Sequence, residues 1–355
     1  MNQRENLLRA LRRDNPERVP FDFNLCPSQV DNFEKRTGTR DYRKYYGFPT
    51  RNVILKPTRK VYDYSKYYQG VEEKLEPLNW NPEWGIMGIR GSVAHFQKMV
   101  HPLENFNKIS DIEEYPFPDM TADYRWEGLK EENENFIRQG FATIGEMQMT
   151  IFELCWYLRG MDNFMIDFYE NPEYNDALMD KITDIRIVMA RKYAEVGVDI
   201  LQLGDDVSTQ RDMMMAPELW AKTLKPRMAK IIQAAKEVKP DILVFYHGDG
   251  NLEKIIPDLI EIGVDVLNPV QPECVDPFKV KKLYGDRLSF WGCVGTQTTM
   301  PFGTKEEIFD VCRRLIQEVG KGGGLLLAPT HTIEPEVPYE NVEAFLEAVD
   351  KFGKY

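Results

Sequence analysis

From residue 139 onward the chain alternates short apolar runs with longer stretches in which apolar residues recur every three or four positions. The runs fall at 141–144, 200–203, 242–246, 264–267, 288–291 and 325–328. Their shortness and continuous hydrophobicity predict strands buried on both faces, as in a parallel sheet. The stretches between them predict helices at 172–195, 217–238, 252–262, 305–319 and 339–352. Two of these open with Pro172 and Pro217, at a position where a missing N–H costs nothing. Strands alternating with helices mean repeated βα units. Ahead of residue 139 the pattern is poorer. Residues 5–11 predict a helix that stops before Pro16, and 18–23 predict a short first strand. Residues 24–138 mix aromatics, prolines and charges without a clear period, so they predict an irregular elaboration with short helices and a hairpin around 80–99. Residues 1–355 are expected to form a single domain.

A doubly wound open sheet and a closed barrel both satisfy this alternation. No glycine-rich phosphate loop follows the first strand, and no switch point for a dinucleotide is evident. Gly322-Gly323-Gly324 lacks the Lys-Ser/Thr of a phosphate loop and reads as a turn. Polar residues follow every strand, and in a barrel those turns converge on one face. The expected fold is therefore α/β, a (β/α)8 TIM barrel with an elaborated N-terminal region.

The candidate chemistry lies just past the predicted strands. Glu146 and Gln148 follow the first of them, and Asp205 and Asp206 the next. Tyr246, His247 and Asp249 end the third, Asn268 and Trp291 come later, and His331 follows the last. Two of the four histidines (His95, His101, His247, His331) thus sit at strand ends. Imidazoles and carboxylates in one pocket supply the groups for proton transfer or for holding a cation. Asp205 and Asp206 equally suit a turn or a helix cap. Met213-Met214-Met215 reads as a packing patch.

Composition narrows the partners. With 45 Lys+Arg against 57 Asp+Glu, the net charge of −12 and the lack of a basic run argue against nucleic acid. Five scattered cysteines without CxxC spacing suggest reduced thiols. The polar N-terminus and the absence of a long apolar run lead to the expectation of a cytoplasmic protein without a membrane span.

Several segments together resemble the uroporphyrinogen decarboxylase superfamily. They are Trp156-Tyr157-Leu158-Arg159-Gly160-Met161, Gly204-Asp205-Asp206, Leu224-Lys225-Pro226 and Val337-Pro338-Tyr339-Glu340-Asn341-Val342, with Trp84-Gly85 and Leu267-Asn268-Pro269. The resemblance implies a (β/α)8 barrel and either the haem-pathway decarboxylase or a corrinoid-linked methyltransferase. The decarboxylases carry an Arg-rich segment after the first strand, where this chain reads Phe21-Asp22-Phe23-Asn24-Leu25-Cys26. The zinc thiol methyltransferases carry His-x-Cys and a distant Cys; the matching positions here are His247, Asp249 and His331. The resemblance thus implies a harder zinc site or a metal-free acid relay on these residues. Its expected activity is methyl transfer from a methoxylated, aromatic substrate to the corrinoid (methylcobalamin) of a separate carrier protein, an O-demethylase component. His247, Asp249, His331 and Glu146 are the expected catalytic residues. Gln148, Asp205, Asp206, Tyr246, Asn268 and Trp291 are expected to bind substrate. The alternatives, in order, are a corrinoid:thiol methyltransferase, the decarboxylase and a non-catalytic barrel.

Overall fold

The computed structural model describes residues 1–70, 75–77, 82–90 and 97–355. Seven strands form one parallel sheet in the order β1 (Thr50–Val53), β5 (Ala142–Glu146), β6 (Ile200–Gly204), β7 (Leu243–His247), β8 (Val266–Asn268), β9 (Ser289–Val294) and β10 (Leu325–Pro329). Three short strands, β2 (Leu75–Pro77), β3 (Met87–Arg90) and β4 (Gln97–Val100), make a separate antiparallel sheet. The expected hairpin around 80–99 corresponds to β3 and β4, paired Met87 to Val100; Trp80 and residues 91–96 lie outside the described residues.

The eighth position of the barrel differs from expectation. Residues 18–23 do not form a strand ladder; Arg18 and Phe21 make isolated bridges, Phe21 in parallel with Leu327 of β10. Pro20 has no N–H to donate, which interrupts a ladder, although its carbonyl still accepts from Leu327 N at 2.9 Å. The Phe21 ring meets Phe48, just before β1, edge-on at 5.7 Å. This segment therefore stands between β10 and β1. The strand that the hydrophobic pattern missed is β1: its inward residues, Thr50 and Asn52, are polar because they line a cavity.

The barrel interior is apolar toward the N-terminal ends of the strands. Leu7, Leu8 and Leu11 of the first helix (Gln3–Leu11) join Ile200, Leu243, Val266 and Leu326 in a buried cluster that plugs that end. The helix is fixed by a capping box between Asn2 and Glu5 and by Gly324 N–H donating to Ala10 O at 2.6 Å. The glycines 322–324 all take positive φ (77°, 103° and 89°), and a Cβ on Gly323 would strike the Arg13 backbone, so this segment is a turn. Most predicted helices recur with shifted ends. The helix predicted at 217–238 is two, Pro217–Thr223 and Lys225–Val238, since Pro226 cannot donate back into the preceding turn. The pattern at 252–262 opens as a 3-10 turn before the helix Ile256–Glu261. That at 305–319 is an α-helix, Lys305–Arg314, that widens into a π-turn. Helices Phe152–Arg159, Met161–Glu170 and Pro277–Tyr284 were not anticipated. Among the described residues, no helix is long and apolar enough to cross a membrane.

Candidate active site

At the C-terminal ends of the strands a cavity of about 390 Å³ opens. Parallel pairing sets its far wall: Gly204, His247 and Asn268 are register neighbours across β6, β7 and β8. Gly204 has no room for a Cβ against the His247 carbonyl, so the close approach of β6 to β7 demands glycine. Alternation along β7 sends Phe245 and His247 into the barrel and turns Tyr246 outward, into the layer under the helices. The floor is aromatic, with Phe245 and Trp291 edge to face at 5.1 Å.

His247 is held in one tautomer. Asn268 donates from Nδ2 to the Trp291 carbonyl at 2.9 Å, which leaves its Oδ1 facing His247 Nδ1 at 2.7 Å. A carbonyl can only accept, so in the neutral ring Nδ1 carries the proton and Nε2 keeps a lone pair. That lone pair lies 4.0 Å from Asp206 Oδ1. Asp206 also accepts the Asp249 N–H at 2.8 Å, which draws the two loops together. One ligand atom from each of Asp206, His247 and Asp249 lies within 4.8 Å of the others, the one such trio among the described residues. Burial pushes the Asp249 carboxyl upward, the His247 charge opposes this, and Asp206 adds to it.

Of the expected site residues, Glu146, Gln148, His247, Asn268, Trp291 and His331 line the cavity. His331 also borders a second groove of about 370 Å³ that contains Asp249. His331 is not in the ligand trio; Asp206 takes that place. Asp205 and Tyr246 do not line the cavity, contrary to expectation, and neither do Asp206 and Asp249, although both lie beside His247, which does. The Asp205 carboxylate is 2% exposed and accepts the N–H groups of Ile151 and Glu153, at the start of helix Phe152–Arg159. Tyr246 donates to the Asp205 carbonyl at 3.3 Å.

Several cavity residues escaped the sequence reading. Arg43 lines the cavity from a four-residue helix, Tyr42–Tyr45, and donates to Asn24 Oδ1 at 2.8 Å. Asn52 donates to Glu146 Oε2 at 3.2 Å. Burial raises the Glu146 carboxyl, against the pull of the Arg43 and His247 charges. Below the trio, Glu153 accepts the Asp206 N–H at 3.0 Å and the Tyr157 O–H at 2.9 Å. Burial, with Asp205 and Asp206 nearby, pushes its carboxyl up to about 8.

Asp22 is the buried acid of the first segment and accepts Trp291 Nε1–H at 3.0 Å. Burial pushes it up to about 6, against Arg43 and the Trp291 N–H. A raised carboxyl pKa means that the folded state holds the proton more tightly than the unfolded chain. Its contribution is unpenalised below the ordinary aspartate range and becomes destabilising as the pH rises through about 6. Asp22→Asn is therefore expected to stabilise the protein by on the order of 1–3 kcal/mol at about pH 8 and to have little effect at about pH 4. Urea unfolding at both pH values checks this; equal shifts at both would contradict it.

Comparison with known proteins fits this geometry into a family. The family model for uroporphyrinogen decarboxylase (URO-D) matches residues 96–352. A methylcobamide:CoM methyltransferase, MtaA, of Methanosarcina barkeri is 25% identical over 55% of this chain and 54% of its own length. A methylated-thiol–coenzyme M methyltransferase of Methanosarcina mazei is 23% identical over 56% of this chain and 50% of its own. A uroporphyrinogen decarboxylase of Rickettsia africae is 32% identical over 51% of this chain and 49% of its own. The chain thus spans about half the length of the curated relatives it matches. The solved structure of a methyltransferase from Methanosarcina mazei covers 99% of both chains at 19% identity, with a TM-score of 0.67. With more than half of its length matched by the family model and the same barrel in a solved relative, the chain belongs to the uroporphyrinogen decarboxylase family.

Proposed function

We propose that this protein transfers a methyl group from a small methoxylated aromatic compound to the Co(I) corrinoid of a separate carrier protein. The observation that carries this reading is the donor set at the barrel mouth. Asp206, His247 and Asp249 offer one imidazole and two carboxylates, and His247 borders a cavity lined by Phe245 and Trp291. A carboxylate-rich set suits an oxygen leaving group. Two of the relatives are named as corrinoid or thiol methyltransferases, which supports methyl transfer as the reaction class.

The trio fits a zinc ion: nitrogen and oxygen donors are ordinary zinc ligands, and Asn268 keeps the His247 Nε2 lone pair available. Asp206, His247 and Asp249 would hold the ion, which would supply Lewis-acid polarisation of the ether oxygen. The chain's own residues do the rest. Phe245 and Trp291 hold the ring flat, and the ether oxygen lies beneath His247. As the C–O bond breaks and the methyl group passes to the corrinoid, the oxygen takes a proton from Glu146. Burial favours the protonated form of this carboxyl, and Asn52 orients it. Asn268 is the positioning residue. Asn268→Ala should lower metal affinity about 10–100-fold, because it releases the imidazole; metal titration with a competing chelator checks this, and unchanged affinity would contradict it.

Corrinoid:thiol methyl transfer is the second reading, favoured by the names of the two methanogen relatives. It requires a site suited to a thiolate, yet none of the five cysteines is in the trio. Incubation of reduced cobalamin with methoxylated aromatics, methanol and methylamines, and of methylcobalamin with thiols, separates the readings through the cobalt spectrum. Methoxylated aromatics should convert Co(I) to the methylated form; demethylation of methylcobalamin by thiols, with no methylation of Co(I) by any ether, would select the second reading.

A further inference from the structure

The helix Phe152–Arg159 carries part of the Trp156–Met161 segment and has no role in the chemistry above. It starts at Ile151, whose side chain offers no acceptor to the free N–H groups of the first turn. Asp205, just past the end of β6, supplies one. Its carboxylate accepts the Ile151 N–H and the Glu153 N–H, both at 3.0 Å. Glu153 answers in the opposite direction: its Oε2 accepts the Asp206 N–H at 3.0 Å. The exchange follows the logic of a capping box, in which two segments satisfy each other's backbone donors. Here it joins a helix to a strand end 52 residues further along the chain.

Both carboxyl oxygens of Glu153 are committed. Oε1 accepts the Tyr157 O–H at 2.9 Å from one helical turn on, which orients the group. Glu153 and Tyr157 are each 8% exposed, so water competes little for these bonds. Asp206 Oδ1 in turn accepts the Asp249 N–H at 2.8 Å and lies 4.0 Å from His247 Nε2. Hydrogen bonds therefore run without a break from Tyr157 through Glu153 and Asp206 to Asp249. Asp205 and Asp206 are chemically identical neighbours. The reciprocal clamp fixes which of them faces the helix and which faces His247.

We infer that Glu153 is a positioning residue of the trio: by holding the Asp206 N–H, its carboxyl turns Asp206, and not Asp205, toward His247 and Asp249. It acts by its reach and its acceptor geometry, not by its charge. The inference rests on the proposed function in treating the trio as a metal site. Metal–ligand distances tolerate only about 0.2 Å, so a loop released from this clamp loses the ion.

Two substitutions separate reach from charge. Glu153→Asp keeps the charge and withdraws the carboxyl by one methylene, about 1.5 Å. Glu153→Gln loses the charge but keeps the length and a carbonyl acceptor for the Asp206 N–H; its amide donates to the Tyr157 oxygen once that hydroxyl rotates. Zinc titration against a competing chelator should show about a 10–100-fold loss for Glu153→Asp and wild-type affinity for Glu153→Gln. Equal affinities in all three proteins, or a greater loss for Glu153→Gln, would overturn the inference. A second readout needs no metal. In zinc-free protein labelled at aspartate, amide exchange is measured at Asp249 relative to Asp265, whose N–H pairs with Val244 O toward the other end of β7. That ratio should rise about tenfold in Glu153→Asp and stay at the wild-type value in Glu153→Gln. An unchanged ratio in Glu153→Asp would overturn the inference. If the wild type binds no zinc while the exchange follows this order, the clamp stands and the metal falls from the proposed function. Zinc bound equally by all three proteins does the reverse.

Discussion

His247→Ala is expected to lower methyl transfer from unactivated aryl methyl ethers by about 10²–10⁴-fold, the range over which removal of a positioned proton donor or leaving-group activator acts. By transition-state arithmetic this is about 3–5 kcal/mol. An unactivated phenolate has a conjugate acid near pKa 10, by analogy with tyrosine, and leaves poorly without help. Ethers of more acidic phenols need less assistance, so the variant should lose less on them. The measurement is the rate of cobalt methylation against leaving-group pKa for wild type and variant. A steeper slope in the variant is expected; parallel lines would assign His247 to binding. The same substitution removes the one imidazole from the Asp206–His247–Asp249 trio, so both routes to leaving-group activation predict the same sign.

The second large effect concerns the metal. Asp206→Ala and Asp249→Ala should each reduce zinc affinity by more than the about 10–100-fold expected when an outer partner such as Asn268 is lost. His331→Ala should leave zinc affinity close to that of wild type, because His331 borders the cavity without joining the trio. Competition titration of the four proteins gives the order directly. The opposite ranking, with His331→Ala zinc-free and Asp206→Ala loaded, would restore the set implied by the family pattern, His247, Asp249 and His331.

That contrast shows what the sequence conveys well and what it hides. Strands such as Leu325–Pro329 were legible because every residue is buried and the run is continuously apolar. β1 was hidden because its cavity-facing residues, Thr50 and Asn52, are polar and remove the alternation that would mark a strand. Residues 18–23 looked like a strand but lack its ladder, with Pro20 in their midst. At the site, Glu146, His247, Asn268 and His331, each at or just past the end of a strand, line the cavity. Position after a strand could not tell Asp205 from Asp206. Adjacent side chains leave a strand end in opposite directions, so one carboxylate caps a helix and the other meets His247. Arg43 lay in the unreadable 24–138 region, on a helix too short to leave a period.

Following the methyl group itself tests its transfer from the ether to cobalt. A methoxybenzoate with a deuterated methyl group is incubated with the protein and reduced cobalamin, and both products are analysed by mass spectrometry. Deuterated methylcobalamin and free hydroxybenzoate are expected in equal amounts with the wild type, and both strongly reduced with His247→Ala. Hydroxybenzoate released without labelled methylcobalamin, or no conversion of the ether while thiols are methylated from methylcobalamin, would contradict it.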